Sequence, residues 1–137
     1  MAEVVIYTDG GARGNPGPAG AGVVIQSEGK TFEFKKYLGD NLTNNWAEYE
    51  ALILALTEAK RRGLAGKSLE IRMDSELIVR QMTGEYQVKE ETLWPQYMKA
   101  HNLLIAHFPN ARFVHVPREE NKEADALVNQ AIDQAVL

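Results

Sequence analysis

The chain has 137 residues, no cysteine, a hydrophobic fraction of 45% and a charged fraction of 25%; that suits one domain with its own core and excludes a disulfide framework or a thiolate zinc site. A formal net charge of −4 argues against a simple basic nucleic-acid-binding module, although clustered acids that hold a metal would themselves lower the net charge. No basic segment followed by a long apolar run predicts a signal peptide, no apolar stretch is long enough to span a bilayer, and the lack of cysteine is compatible with a reducing cytoplasm.

In chain order, Val4–Thr8 is a run of β-formers that predicts a largely buried strand. It ends in Asp9, where a side chain can leave the core, and Gly10 and Gly11 follow, where the backbone can lie close to a ligand. The glycine-rich piece from Gly10 to Gly22 reads as a loop within the domain. Ala19–Gln26 is a second strand, Ser27-Glu28-Gly29-Lys30 a turn, and Thr31–Leu38 a third strand with Phe32 and Phe34 on its apolar side. The short connections make these three strands an antiparallel meander.

The pattern changes at Gly39. Trp46, Tyr49, Leu52, Ile53 and Leu56 recur at helical spacing and predict an amphipathic helix from Asn45 to Arg62, stopped by Gly63. Its basic end, Lys60-Arg61-Arg62, reads as a solvated helix terminus favoured by the helix dipole. Lys67–Met73 is a fourth strand ending in Asp74. Ser75 caps a short helix through Met82, and Gly84 ends it. A looser segment leads to a helix over Leu93–His107, with Pro95 in its first turn. Ala111–Val116 is a fifth strand, and after Pro117-Arg118 a last helix runs from Asn121. The order is βββαβααβα, and the late strands, alternating with helices, should join the sheet parallel to the first.

Four carboxylates hold ordered places in this scheme. Asp9 and Asp74 each end a strand; if those strands are parallel neighbours, both acids meet at the sheet edge where open α/β sheets place ligands. Glu48 lies in the first turn of the long helix, bordering its apolar face; Asn45 and Glu48 together also resemble a capping box. Asp125 lies one turn into the last helix, on the side of Val128 and Ile132. Acids converging without partners repel one another, so such a site needs cations. An all-oxygen donor set with no histidine pair at ligand spacing favours Mg²⁺ or Mn²⁺, and paired ions suit metal-assisted phosphoryl transfer to water.

The segments Thr8-Asp9-Gly10-Gly11, Asn44-Asn45-Trp46-Ala47-Glu48, Met73-Asp74-Ser75 and Glu123-Ala124-Asp125-Ala126-Leu127 resemble, in order and over essentially the whole chain, those of type 1 ribonuclease H. The resemblance implies a ribonuclease H-like α/β fold over residues 1–137 as one domain, a five-stranded mixed sheet (three antiparallel strands, then two parallel ones) flanked by helices. It implies an endonuclease that cuts the RNA strand of an RNA–DNA hybrid, leaves 5′-phosphate and 3′-hydroxyl ends, and works with two Mg²⁺ or Mn²⁺ ions held by Asp9, Glu48, Asp74 and Asp125. A monomer in the cytoplasm, away from membranes, is expected, with double-stranded RNA and RNA–DNA junctions left open as substrates. The family's substrate contacts fall on the backbone of Gly10 and Gly11 near the 2′-hydroxyls, on Asn15 at the minor groove, and on Thr43, Asn44 and Asn45 against the DNA strand. Glu76 matches a position where some relatives carry Gln, and a carboxylate cannot donate as an amide does.

Two features depart from many relatives. The connection Pro117-Arg118-Glu119-Glu120 carries no histidine; Arg118 is its only cation and resembles the arginine of the short prokaryotic branch, with a surface ion pair to Glu119 or Glu120 as the plainer alternative. His115 reads as a structural strand residue. The segment Glu85–Leu93, holding Lys89 among Glu85, Glu90 and Glu91, is no basic protrusion. Two other readings compete: a non-catalytic nucleic-acid-binding domain, and a different nuclease on the same fold.

Overall fold

The computed structural model describes residues 2–136. Five strands, β1 (Val4–Ala12), β2 (Gly17–Ser27), β3 (Lys30–Leu42), β4 (Leu69–Met73) and β5 (Ala111–His115), form one sheet in the order β3-β2-β1-β4-β5. β1–β2 and β2–β3 pair antiparallel, β1–β4 and β4–β5 parallel. The helices are α1 (Asn44–Arg61), α2 (Glu76–Met82), α3 (Trp94–His107) and α4 (Lys122–Val136), with short 3-10 turns at Glu91–Leu93 and Arg118–Glu120. This is the mixed sheet and element order expected from the sequence. Among the described residues no helix is long and apolar enough to cross a membrane.

One sheet face carries Val4, Ile6, Val23, Ile25, Leu69, Ile71 and Met73 against Tyr49, Leu52 and Leu56 of α1, with Ile78, Leu93 and Ala100 closing the same core. β-branched side chains on the pleat meet an aliphatic helix stripe there, which is what the two periodicities in the sequence require. α4 lies on the other face, over β1, β2 and β3. Beyond its reach, β1, β4 and β5 cover their exposed side with polar side chains: Arg72 donates to Tyr7 Oη (2.5 Å) and Glu70 (2.6 Å), and Glu70 also pairs with Arg112. The registers Tyr7↔Arg72 and Glu70↔Arg112 place these groups side by side.

The glycine-rich piece is mostly strand rather than loop. β1 continues to Ala12 and β2 begins at Gly17, so Gly10 pairs with Ala21 and Gly11 with Gly20, leaving only residues 13–16 as the connection. The reason is close packing on both faces. A Cβ on Gly10 would stand 2.2 Å from the Ala47 carbonyl oxygen of α1, and one on Gly22 would stand 2.2 Å from that of Ala124 of α4. Propensity reads these glycines as breakers; the helices lying against them need them in strands. β3 likewise runs past Leu38 to Leu42, through Gly39.

The α1 terminus also differs from expectation. Thr43, not Asn45, is the N-cap, its side chain accepting from the Trp46 N–H, and the helix starts at Asn44. At the far end Arg62 is not simply solvated: its guanidinium lies 4.2 Å from the Phe32 ring centroid and 5.1 Å from that of Phe34, covering those half-buried rings of β3.

Candidate active site

The parallel pairing of β1 and β4 ends at Thr8↔Met73, so the next residue of each chain, Asp9 and Asp74, leaves the ladder at the same edge. α1 starts above that edge, and its first buried turn delivers Glu48. Oxygen atoms of Asp9, Glu48 and Asp74 all lie within 4.8 Å of one another. Asp9 and Glu48 are buried, at 8% and 7% exposure, which separates this group from an ordinary solvated acid cluster. Asp125, on the first turns of α4, joins them along the wall of a cleft of about 420 Å³ that also includes Gly10, Gly11, Asn44 and Arg118.

The arrangement is electrostatically strained. Burial, followed by the Asp74 charge and the neighbouring Asp125 carboxyl, pushes Asp9 up to about 8. Glu48 lies well above its ordinary range, first through burial and then through the charges of Asp9 and Asp74; the Gly10 N–H and the Arg118 guanidinium work in the opposite direction. Glu48 accepts from the Gly10 N–H at 2.8 Å. It therefore does not close a capping box, because its carboxylate turns toward β1 instead of back to the helix start. Three oxygen-donor side chains, two of them withdrawn from water and short of positive charge, are a donor set for a hard divalent cation such as Mg²⁺ or Mn²⁺.

Asn15, Asn44 and the β1 end form one hydrogen-bonded unit. Asn44 Oδ1 accepts from the Ala12 N–H (2.8 Å), and Asn15 Oδ1 accepts from the Asn44 N–H (2.9 Å). With both amide oxygens held by backbone, the NH₂ groups are what these side chains present outward. Of these groups only Asn44 lines the cleft; Asn15, Thr43 and Asn45 sit beside it, and Thr43 Oγ1 is engaged as the cap.

Arg118 opens the short 3-10 turn before α4 and reaches the cleft wall. Among the described residues it makes no ion pair with Glu119 or Glu120, so the plainer alternative does not hold. His115 is outside the cleft; its side chain is 43% exposed with Nδ1 3.9 Å from Glu76 Oε2. It is an edge group facing α2 rather than a packed structural histidine, because β5 is the border strand, with α2 beside it.

Of the polar cleft residues, Arg13 and Asn129 were not singled out from the sequence, and Ser75 was read as a helix cap and as part of a motif but not as a site residue. Asn129 lies four residues after Asp125 and donates to its carbonyl at 3.2 Å, and that i, i+4 spacing was the available signal. Arg13 binds Asn129 and, at 2.7 Å, Asp133, tying the β1–β2 connection to α4; no local pattern announces such a long-range pair. Other depressions exist, one of about 570 Å³ at the opposite end of the sheet beside Lys30, Arg61, Arg62 and Lys67, and one of about 780 Å³ beside Tyr86, Trp94, Tyr97 and Met98. Neither gathers three carboxylates.

Known proteins share this architecture. Residues 7–131 match the family model described as reverse transcriptase-like. The chain is similar to Ribonuclease HI of Halobacterium salinarum, with 42% identity over 135 residues, 97% of this chain and 66% of that protein. It is similar to a bifunctional protein of Mycobacterium tuberculosis, with 41% identity over 97% of this chain but only 36% of that protein. The chain thus spans about a third of the length of its mycobacterial relatives. Among solved structures, LC11-RNase H1 in complex with RNA/DNA hybrid superposes with a TM-score of 0.92 at 54% identity, covering 98% of this chain and 99% of that one.

Proposed function

The chain belongs to the ribonuclease H family, type 1, and from that premise we propose that it is an endonuclease hydrolysing the RNA strand of RNA–DNA hybrids with two divalent cations, Mg²⁺ or Mn²⁺, to leave 5′-phosphate and 3′-hydroxyl ends. The observation that carries this reading is the convergence of Asp9, Glu48 and Asp74 from three separate elements to within 4.8 Å. A domain that only binds nucleic acid has no use for buried, mutually repelling carboxylates, whose cost is met only when cations join them.

Asp9, Glu48 and Asp74 would hold the cations, with Asp125 completing the set from α4. Bound there, a pair of such ions supplies an activated water and offsets the charge that builds on the leaving 3′-oxygen. The chain's own groups do the remaining work. The Gly10 N–H fixes Glu48, so the carboxylate does not need to be ordered when substrate arrives. Arg118, at the cleft wall and without an ion pair among the described residues, is the cation that faces the scissile phosphate and the product. Being always protonated, it stabilises charge and transfers no proton.

Recognition follows from what the cleft offers. The outward NH₂ groups of Asn44 on the cleft wall and of Asn15 beside it suit the acceptor atoms that every base pair shows in a minor groove. Backbone at Gly10 and Gly11 lines the cleft, and at Gly11, where a Cβ would stand on the cleft side between Val128 and Asn44, its absence allows an RNA 2′-hydroxyl to approach, the group by which RNA is told from DNA. Thr43 and Asn45 would meet the DNA strand from the α1 start. The solved hybrid complex of LC11-RNase H1 supports assigning the same substrate class here.

The test is incubation of strand-labelled RNA–DNA hybrid with and without Mg²⁺ or Mn²⁺, with double-stranded RNA and an RNA–DNA junction as parallel substrates. Internal cuts in the RNA strand, dependent on metal and ending in 3′-hydroxyl, are expected. Cleavage indifferent to a chelator, or products ending in 2′,3′-cyclic phosphate, would refute the mechanism; binding without cleavage would leave the non-catalytic domain as the reading.

A further inference from the structure

Asp9, Glu48 and Asp74 are placed by the central strands and by α1, whose packing is the core of the molecule. Asp125 and Arg118 arrive differently. They belong to the segment that leaves β5, makes one 3-10 turn and enters α4. The body of α4 is seated by glycines: a Cβ on Gly22 would overlap the Ala124 carbonyl, and one on Gly20 would stand 2.9 Å from the Val128 carbonyl oxygen. That contact sets how near the helix lies to the sheet from Ala124 onward, but the turn before it, which carries Arg118, lies outside those glycine contacts.

Asn121 is the fixture of that turn. It sits between Glu119, Glu120 and Lys122, all exposed, yet it is itself 1% exposed. Its Nδ2 donates to the carbonyl of Thr8 at 2.9 Å, across 113 positions of sequence. Thr8 is fully buried, ends the β1–β4 ladder and immediately precedes Asp9. Through its backbone Asn121 also holds both functional neighbours: its N–H donates to the Arg118 carbonyl at 3.0 Å, and its carbonyl accepts the Asp125 N–H at 3.1 Å. One side chain thus ties the strand end that carries Asp9 to the two late groups of the cleft.

We propose that Asn121 is a positioning residue for the hydrolysis, its buried amide setting where Asp125 and Arg118 stand relative to Asp9. The proposal rests on the ribonuclease reading given above and adds a residue to it. A purely stabilising role fits the site poorly. Among the described residues Asn121 Oδ1 has no hydrogen-bond partner in the protein, and an amide with one of its groups so placed is a weak source of stability. What the amide does supply is direction, since a single N–H···O=C bond to a strand end fixes both the height and the rotation of the turn. Groups of this kind, one bond removed from the reacting atoms, set the geometry of the groups they hold.

The test uses the full chain with Asn121→Ala, Asn121→Ser and, as a neighbour that makes no such bond, Glu119→Ala. Steady-state cleavage of hybrid at saturating Mg²⁺ gives kcat and KM separately, melting gives stability, and ¹⁵N amide spectra in chelator report the chain before any metal is added. Asn121→Ala is expected to lose roughly 10–100-fold in kcat with KM little changed, the scale found when a group supporting a metal ligand is removed. Its amide shifts should change at residues 118–125 and at Thr8 and Asp9 but not along β2 or α1. Asn121→Ser, which keeps a donor, should recover part of the loss, and Glu119→Ala should behave as wild type. In the wild-type chain the Asn121 side-chain amide protons should exchange slowly with solvent.

A folded Asn121→Ala with wild-type kcat overturns the proposal while leaving the ribonuclease reading intact. So does a kcat that falls only as the folded fraction falls, with Asn121→Ser no better than Asn121→Ala. Fast exchange of the Asn121 amide protons in the wild type overturns it without any variant having to fold. A wild-type chain that binds hybrid and never cuts it overturns the ribonuclease reading, and this one with it.

Discussion

The N–H of Gly10 donates to Glu48 Oε1 over 2.8 Å, joining the end of β1 to the first buried turn of α1 at the point where the acids meet. The same glycine lets the two elements come that close, since a Cβ there would lie 2.2 Å from the Ala47 carbonyl oxygen and 2.6 Å from the Glu48 nitrogen. Gly10→Ala therefore pushes α1 away from β1 and lengthens the bond that orients Glu48. Overpacking of this kind costs about 1–3 kcal/mol and more where backbone is the obstacle. Thermal melting should show a loss of several degrees, and cleavage should fall further than the melting temperature alone explains. A variant that melts and cuts like wild type would show that the contact yields without consequence.

How far this was readable beforehand divides along the same line. Each acid's place in its element could be read locally: Asp9 and Asp74 close β-former runs, Glu48 borders an aliphatic helix stripe and Asp125 sits one turn into a helix. Taken alone each reads as a turn, cap or solvated acid, and it was the four segments together, in order, that joined them as a set. Local pattern also yielded the element order and the parallel entry of the late strands. It missed whatever depended on two distant segments meeting. Gly10, Gly11 and Gly17 look like loop and are strand, and at Gly10 it is the helix lying against the strand that requires a residue without Cβ. Glu48 three residues after Asn45 looks like a capping box, and only the position of Gly10 shows where its carboxylate goes. Asn121 stands among charged, exposed residues and carries no mark of its burial.

Removing one charge from the acid group should separate stability from activity. Burial and the nearby Asp74 and Asp125 carboxyls hold Asp9 near 8 against an ordinary value of 3.8, so ionising it opposes folding in the metal-free chain. The sign follows: wild-type stability is fully present below the unfolded value and declines as pH rises through the folded one. Asp9→Asn should raise the melting temperature in chelator, most at and above pH 8 and least near pH 4, while abolishing cleavage. Near-normal activity in Asp9→Asn would remove Asp9 from the metal set.

The polar ladder on the open side of the sheet carries the opposite pH sign. Hydrogen bonds from Arg112, then from Arg72, hold Glu70 below its ordinary value of 4.5. A depressed acid stabilises the fold above its unfolded value, and that contribution disappears as pH falls through the folded one. Glu70→Gln should melt lower than wild type at pH 7, with the difference narrowing below about pH 4.5, where the unfolded-state carboxyl takes up its proton. Its cleavage rate per folded molecule should be unchanged, since Glu70 faces away from the cleft. A melting difference that stays constant from pH 7 to pH 3 would assign the effect to packing rather than charge.

Arg118 carries the most specific expectation for catalysis. It stands on the cleft wall, acts on Glu48 through its charge, and makes no ion pair among the described residues. Arg13, also on the cleft wall, is paired with Asp133, and His115 faces Glu76 at the β5 edge and is absent from the cleft lining. A group that stabilises the phosphate or the product predicts a fall in kcat for Arg118→Ala. Losing one electrostatic donor in a shielded site costs about 2.7–4 kcal/mol, or 10²–10³-fold in kcat, and an exposed arginine should come at or below the lower end. Arg118→Lys should restore only part, because a point charge replaces a planar fork. His115→Ala, on an exposed edge, should alter neither rate nor melting by much. Single-turnover cleavage with the three variants, alongside their melting curves, decides the matter. If His115→Ala stays folded and loses chemistry while Arg118→Ala keeps it, the edge histidine reaches the substrate and the arginine does not.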